Sequence, residues 1–193
     1  MRKTLLLCTG GCRSGKSDYA RHWAEEQAPD RVYIASAYMA DDDEMRSRIA
    51  RHQASRGKGW TTYEVASGPW TTPERLVAEA SSLGGVLLFD CLTLWTALCL
   101  EKGYDETATL DLTARLLDAL KTCGSPVALV TNEVGMGLVP DNPLGRTFRD
   151  MAGLVNQRAA TIADTVIFMV CGLPLFIKGQ PEKPCSKEIF PQL

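Results

Sequence analysis

Short, nearly continuous apolar runs alternate with longer amphipathic stretches along this chain. The runs are Thr4–Thr9, Arg31–Ser36, Val86–Asp90, Pro126–Thr131 and Thr165–Val170. Strands covered on both faces read this way, because every side chain meets a buried surface whichever way it points. A further extended stretch is expected over Leu173–Lys178. Helices are expected over Gly15–Ala28, Asp42–Ser55, Pro73–Ser81, Thr107–Thr122 and Pro143–Ala163. In the fourth, Leu110, Leu112, Leu116, Leu117 and Leu120 keep a period of roughly 3.6 residues. This alternation predicts an α/β fold, a mostly parallel central sheet flanked by helices. Gln180–Leu193 carries three prolines and little periodicity, and reads as a tail to a single domain over residues 1–179.

Composition narrows the classes. The 193 residues are 45% hydrophobic and 23% charged, the proportions of an ordinary globular domain. With 21 Lys+Arg against 23 Asp+Glu the net charge is -2, so the basic excess of a general nucleic-acid binder is missing. Cysteines stand at 8, 12, 91, 99, 123, 171 and 185, an odd and scattered set, and the histidines are only His22 and His52. A Cys/His zinc site has little material here, and reduced thiols in a cytoplasmic protein are expected. The apolar run after Met1 stops at Gly10-Gly11, short of the roughly 7–15 residues of a secretory h-region. No run of about 18 apolar residues occurs, so no membrane span is expected.

Chemistry enters at Gly10-Gly11-Cys12-Arg13-Ser14-Gly15-Lys16-Ser17, which fits G-x-x-x-x-G-K-[ST] at every fixed position. Glycines let such a loop curl with its N–H groups inward, and the following helix aims its positive end at phosphate. Lys16 is expected on the outer phosphates and Ser17 on Mg²⁺. The metal also needs a strand-end carboxylate, which Asp90 supplies after Val86-Leu87-Leu88-Phe89; alone, such an acid just as well caps the next helix.

A third segment, Asp41–Arg56, opens with acids and continues with Arg46, Arg48, Arg51 and Arg56. The order suits a helix dipole, and Met45, Ile49 and His52 share one face, so His52 reads as a packing histidine on spacing alone. The arginine cluster makes the other reading available, a phosphate site in which a neutral imidazole attacks phosphorus. His22, beside Trp23, reads as structural. Glu133, after the fourth apolar run, is open between a base, a metal-shell acid and a turn cap.

In order along the chain stand Gly10–Ser17, Tyr33-Ile34-Ala35, Asp42-Asp43-Glu44-Met45, Arg48-Ile49, His52, Arg56, Trp60, Glu64 and Asp90-Cys91-Leu92-Thr93. They are followed by Thr131-Asn132-Glu133-Val134-Gly135, Val139-Pro140, Arg146, Phe148-Arg149-Asp150, Gly153, Asn156-Gln157, Ala163-Asp164 and Gly172. This set, spread over residues 4–179, closely resembles the bifunctional adenosylcobinamide kinase/adenosylcobinamide-phosphate guanylyltransferase family of cobalamin biosynthesis. Arg51 departs from members that carry a second histidine beside the reactive one, which leaves His52 alone in the segment.

The resemblance implies a RecA-like P-loop fold, a homotrimer and two reactions. ATP or GTP phosphorylates the aminopropanol hydroxyl of adenosylcobinamide. The histidine at the position of His52 then takes GMP from GTP and passes it to adenosylcobinamide phosphate, giving adenosylcobinamide-GDP. It also implies nucleotide contacts from the P-loop residues Gly10, Gly11, Cys12, Arg13, Ser14, Gly15, Lys16 and Ser17, and from Ser36, Ala37, Tyr38, Arg56, Glu64 and Asp90, with Mg²⁺ at Ser17 and Asp90. A P-loop kinase of another small metabolite and a RecA-type ATPase module acting on a macromolecule are the alternative readings.

Overall fold

The computed structural model describes residues 4–36, 56–65 and 71–179. The helix expected over Asp42–Ser55 and the tail over Gln180–Leu193 lie outside the described residues. Strands are β1 (Leu5–Gly10), β2 (Arg31–Ala35), β3 (Trp60–Glu64), β4 (Val86–Asp90), β5 (Val127–Val130), β6 (Thr165–Val170) and β7 (Leu173–Lys178). Helices are α1 (Lys16–Gln27), α2 (Pro73–Ser81), α3 (Leu92–Glu101), α4 (Glu106–Thr122) and α5 (Pro143–Ile162).

All seven strands form one sheet in the order β3-β2-β4-β5-β1-β6-β7. Every pairing is parallel except β6 with β7, which turns back antiparallel at Cys171-Gly172. A single strand, β5, separates the P-loop strand β1 from β4, which ends in Asp90. This is the expected RecA-like P-loop arrangement.

The alternation of strand side chains builds two cores. Leu5, Leu7, Val32, Ile34, Leu87, Phe89, Val127 and Leu129 face one layer, where α2, α3, α4 and α5 supply Leu76, Trp95, Leu116 and Val155. Leu6, Cys8, Tyr33, Val86, Leu88, Ala128 and Val130 face the other, where α1 supplies Tyr19, Ala20, Trp23 and Ala24. Fully burying one such large apolar side chain is worth about 2 kcal/mol. Among the described residues, α1 is the one helix of that second layer.

Local signals fix the helix starts. Asn142 accepts from the Gly145 N–H (2.7 Å) ahead of Pro143, and Asp105 accepts from the Ala108 N–H (2.8 Å). Each satisfies a donor that the first helical turn leaves without a partner.

Two elements escape the sequence pattern. The edge strand β3, Trp-Thr-Thr-Tyr-Glu, is too polar to read as an apolar run. Helix α3 follows β4 after one residue, and Leu92, Thr93, Trp95, Thr96, Leu98 and Cys99 are all buried around it. A helix buried on most sides loses the one-faced pattern by which helices are recognised.

Candidate active site

Parallel pairing brings the carboxyl ends of six strands to one edge of the sheet. Glu64, Ala35, Asp90, Val130 and Cys8 stand in one lateral row across β3, β2, β4, β5 and β1. The P-loop rises immediately beyond Cys8 and Thr9, where open α/β sheets hold their ligands.

The loop is shaped by backbone freedom at two glycines. At Gly10 (φ 152) a Cβ would lie 2.6 Å from the Met169 carbonyl oxygen and 2.7 Å from Ser14 Oγ. At Gly15 (φ 91), which caps α1, it would press on Gly172 Cα at 3.3 Å. The β6–β7 turn is tied underneath, with the Gly172 N–H donating to the Ser14 carbonyl (3.1 Å). Lys16 is only 7% exposed and folds back so that Nζ donates to the Gly11 carbonyl across the loop (2.9 Å). The Ser14 hydroxyl is buried with no partner among the described residues. A curled loop with a folded lysine and an unsatisfied buried hydroxyl fits a polyphosphate, which supplies acceptors for both.

Asp90 does not cap the helix that follows it. Cys91 is the N-cap of α3, with no side-chain cap bond. Instead Asp90 Oδ2 accepts from the Tyr33 hydroxyl (2.9 Å), while Oδ1 takes no hydrogen bond among the described residues. Mg²⁺ on a P-loop needs one or two protein oxygens and keeps the rest as water and phosphate. Ser17 in the first turn of α1 and the open oxygen of Asp90 fit that demand. Burial, then the neighbouring Asp90 carboxylate, push the Tyr33 phenol well above its ordinary range, so it stays a donor.

Arg56 lies with Cζ 3.8 Å from the centre of the Tyr33 ring, a cation–π stack beside Asp90. Its burial lowers the guanidinium pKa from the ordinary value. Trp60 meets the same ring edge-on at 6.4 Å, which ties β3 to β2 at this edge. Glu64 is exposed at the end of β3.

Ser36 is wholly buried; its hydroxyl donates to the Cys91 carbonyl (2.7 Å) and accepts from the Cys91 N–H (2.6 Å). In this structure it joins the ends of β2 and β4. Ala37, Tyr38 and His52 lie outside the described residues. At His22, Nε2 lies 2.9 Å from Arg21 Nη2. A guanidinium can only donate, so that nitrogen accepts and the ring is held as a structural partner.

Sequence reasoning missed a polar network between the P-loop strand and β5. Glu133 Oε1 accepts from Thr9 Oγ1 (2.9 Å) and from Asn156 Nδ2 (2.9 Å). Asn156 also donates to the Asn132 carbonyl (3.0 Å), and its Oδ1 accepts from Thr131 Oγ1 (2.6 Å). Thr93 Oγ1 accepts from the Asn132 N–H (2.8 Å) and meets Thr131 Oγ1 at 3.2 Å. The Glu133 N–H donates to the Gly10 carbonyl (3.2 Å), which fastens this network to the first P-loop residue. The available signal was Asn156, polar on the buried stripe of Ala152, Val155 and Ala159.

The family model described as cobinamide kinase / cobinamide phosphate guanyltransferase matches residues 6–177. The bifunctional adenosylcobalamin biosynthesis protein CobU of Salmonella typhimurium is 36% identical, over 90% of this chain and 99% of that protein. The bifunctional adenosylcobalamin biosynthesis protein CobP of Pseudomonas aeruginosa is 41% identical, over 91% of this chain and 98% of that protein. Among solved structures, the KaiC-like protein PH0186 of Pyrococcus horikoshii OT3 is similar over 86% of this chain and 70% of that one, with 17% identity and a TM-score of 0.49. A match over nearly the whole chain, on a fold whose P-loop and strand-end carboxylate share one edge, gives a single conclusion: the chain belongs to the cobinamide kinase / cobinamide phosphate guanyltransferase family.

Proposed function

We propose that this chain performs both reactions of its family on adenosylcobinamide. The observation that carries the reading is the formed P-loop, with Lys16 folded over it and Asp90 on the same sheet edge. In the first reaction the loop N–H groups and Lys16 hold the triphosphate of ATP or GTP. The aminopropanol hydroxyl takes the γ-phosphoryl group, giving adenosylcobinamide phosphate. Mg²⁺, held by Ser17 and Asp90, would neutralise charge on the phosphates.

In the second reaction His52 is the nucleophile. Its neutral ring nitrogen forms a bond to the α-phosphorus of GTP while the bond to the β-phosphate oxygen breaks, and pyrophosphate leaves with the electron pair. A phosphate oxygen of adenosylcobinamide phosphate then displaces the histidine, giving adenosylcobinamide-GDP. Splitting one displacement into two is what a covalent nucleophile contributes. Arg46, Arg48, Arg51 and Arg56 are the cations that this segment offers to offset phosphate charge. Nucleotide contacts from Ala37, Tyr38, Arg56 and Glu64 belong to this reading, with Ser36 acting through its bonds to Cys91. So do a single domain over residues 1–179, a cytoplasmic location and a homotrimer.

The test is the mass of the intact protein after incubation with Mg²⁺ and GTP without corrinoid. An added GMP, lost in mild acid and stable in alkali, is expected, and peptide mapping should put it on His52. His52→Ala should lose the adduct and keep the kinase reaction. An adduct on His22, or an alkali-labile one, overturns the assignment.

A further inference from the structure

Glu133 is the N-cap of a single 3-10 turn, Val134–Met136, yet its side chain makes no cap bond there. It turns back to Thr9 and Asn156, and both donors converge on the same oxygen, Oε1. Oε2 takes no hydrogen bond among the described residues. The backbone of Glu133 is held to Gly10, and β5 lies between the P-loop strand and the Asp90 strand. A half-buried carboxylate is thus fixed through one oxygen, between the phosphate loop and the strand-end acid, with the other oxygen open. A turn cap needs no such support. A proton acceptor does, since it must meet its proton in one defined direction.

We propose that Glu133 is the proton acceptor of the phosphoryl-transfer step, with Thr9 and Asn156 as its positioning residues. This rests on the kinase reading given above. The aminopropanol oxygen bonds to the γ-phosphorus, and the bond from that phosphorus to the β–γ bridging oxygen breaks. The nucleoside diphosphate leaves with the electron pair. The hydroxyl proton passes to Oε2 of Glu133, which later releases it to water. The guanylyl transfer has no such need, because its attacking phosphate oxygen carries no proton to remove.

Glu133→Gln tests this directly. The amide keeps an oxygen to accept from Thr9 and Asn156 and loses the basic atom. The kinase kcat on adenosylcobinamide should fall by about 100-fold or more. Nucleotide affinity, thermal unfolding and guanylylation of pre-made adenosylcobinamide phosphate should be retained. A kinase kcat near wild type overturns the proposal. So does an equal loss of both reactions, which marks a structural role. If the Gln variant does not fold, Glu133→Asp retracts the carboxylate by one methylene and is read the same way. A wild-type protein that never phosphorylates adenosylcobinamide sinks the kinase reading itself. An active kinase with an unimpaired Glu133→Gln variant sinks only the role of Glu133.

Discussion

The Tyr33 hydroxyl donates to Asp90 Oδ2 over 2.9 Å, joining the second strand to the acid at the end of the fourth. This bond holds one carboxylate oxygen and leaves the other without a hydrogen bond among the described residues. The stack of Arg56 on the same ring adds a cation beside that acid without an ion pair among the described residues.

Tyr33→Phe keeps the ring, and with it the stack, and removes the donor. A hydrogen bond to a charged group is worth about 2 kcal/mol, and the buried site offers little water to replace it. Urea unfolding should show a loss of that order. An unmoved midpoint would mean that the bond adds nothing to the fold.

Lys16→Ala removes the cation folded over Gly11. Loss of one preorganised phosphate donor typically costs about 10²–10³ in kcat, so nucleotide turnover should fall at least that far. Far-UV circular dichroism should be unchanged, since β1 and α1 are held by Leu6, Cys8, Tyr19 and Trp23. Near-normal phosphorylation by the variant would remove the P-loop from the reaction.

Strands β1, β2, β4, β5 and β6 and the loop were legible in the residue order, because those strands are mostly buried apolar runs and the P-loop is contiguous. Strand β3 was not, since its membership depends on pairing Trp60–Glu64 with β2 rather than on burying an apolar face. The network on Glu133 was illegible for a different reason. Thr9 and Glu133 stand 124 residues apart, and only the placing of β5 beside β1 brings them together. The same limit applied to Ser36, whose partner Cys91 is reached only across the β2–β4 pairing.

Glu74 accepts two hydrogen bonds from Arg115, at 2.6 and 2.9 Å, linking α2 to α4. These hold its pKa at about 2, below the ordinary 4.5. A depressed carboxylate gives its stabilisation above the unfolded value and loses it as pH falls through the folded one. The link should therefore be intact above pH 4.5 and lost on the way down to about 2. Carboxyl carbon shifts from NMR should report this titration, and Arg115→Ala should return Glu74 towards its ordinary range. A wild-type Glu74 already titrating at the ordinary value would contradict the bond.

Cysteine reactivity should divide by position. Burial pushes the Cys91 and Cys99 thiols up to about 12, and Cys8 is fully enclosed. Cys12 and Cys171 are exposed. Iodoacetamide at pH 8 should label Cys12 and Cys171 and spare the other three, as mapped by mass spectrometry. Bound nucleotide should protect Cys12, in the P-loop, more than Cys171. Equal labelling with and without nucleotide would place the phosphates elsewhere.

Helix α1, the one described helix over the second core, begins at Lys16 and Ser17, the last residues of the P-loop motif proposed to meet phosphate. Ligand and core therefore share a lever. Whatever clamps Gly15–Ser17 also clamps Tyr19, Trp23 and the strand residues beneath them. At a nucleotide concentration 100 times its dissociation constant, binding to the native state alone adds about 2.7 kcal/mol. That increment enters the molecule through α1, so amides of α1, Cys8 and Val130 should slow together in hydrogen exchange. The four-helix layer receives it only through the sheet. Nucleotide supply thus sets how long one side of this enzyme stays closed.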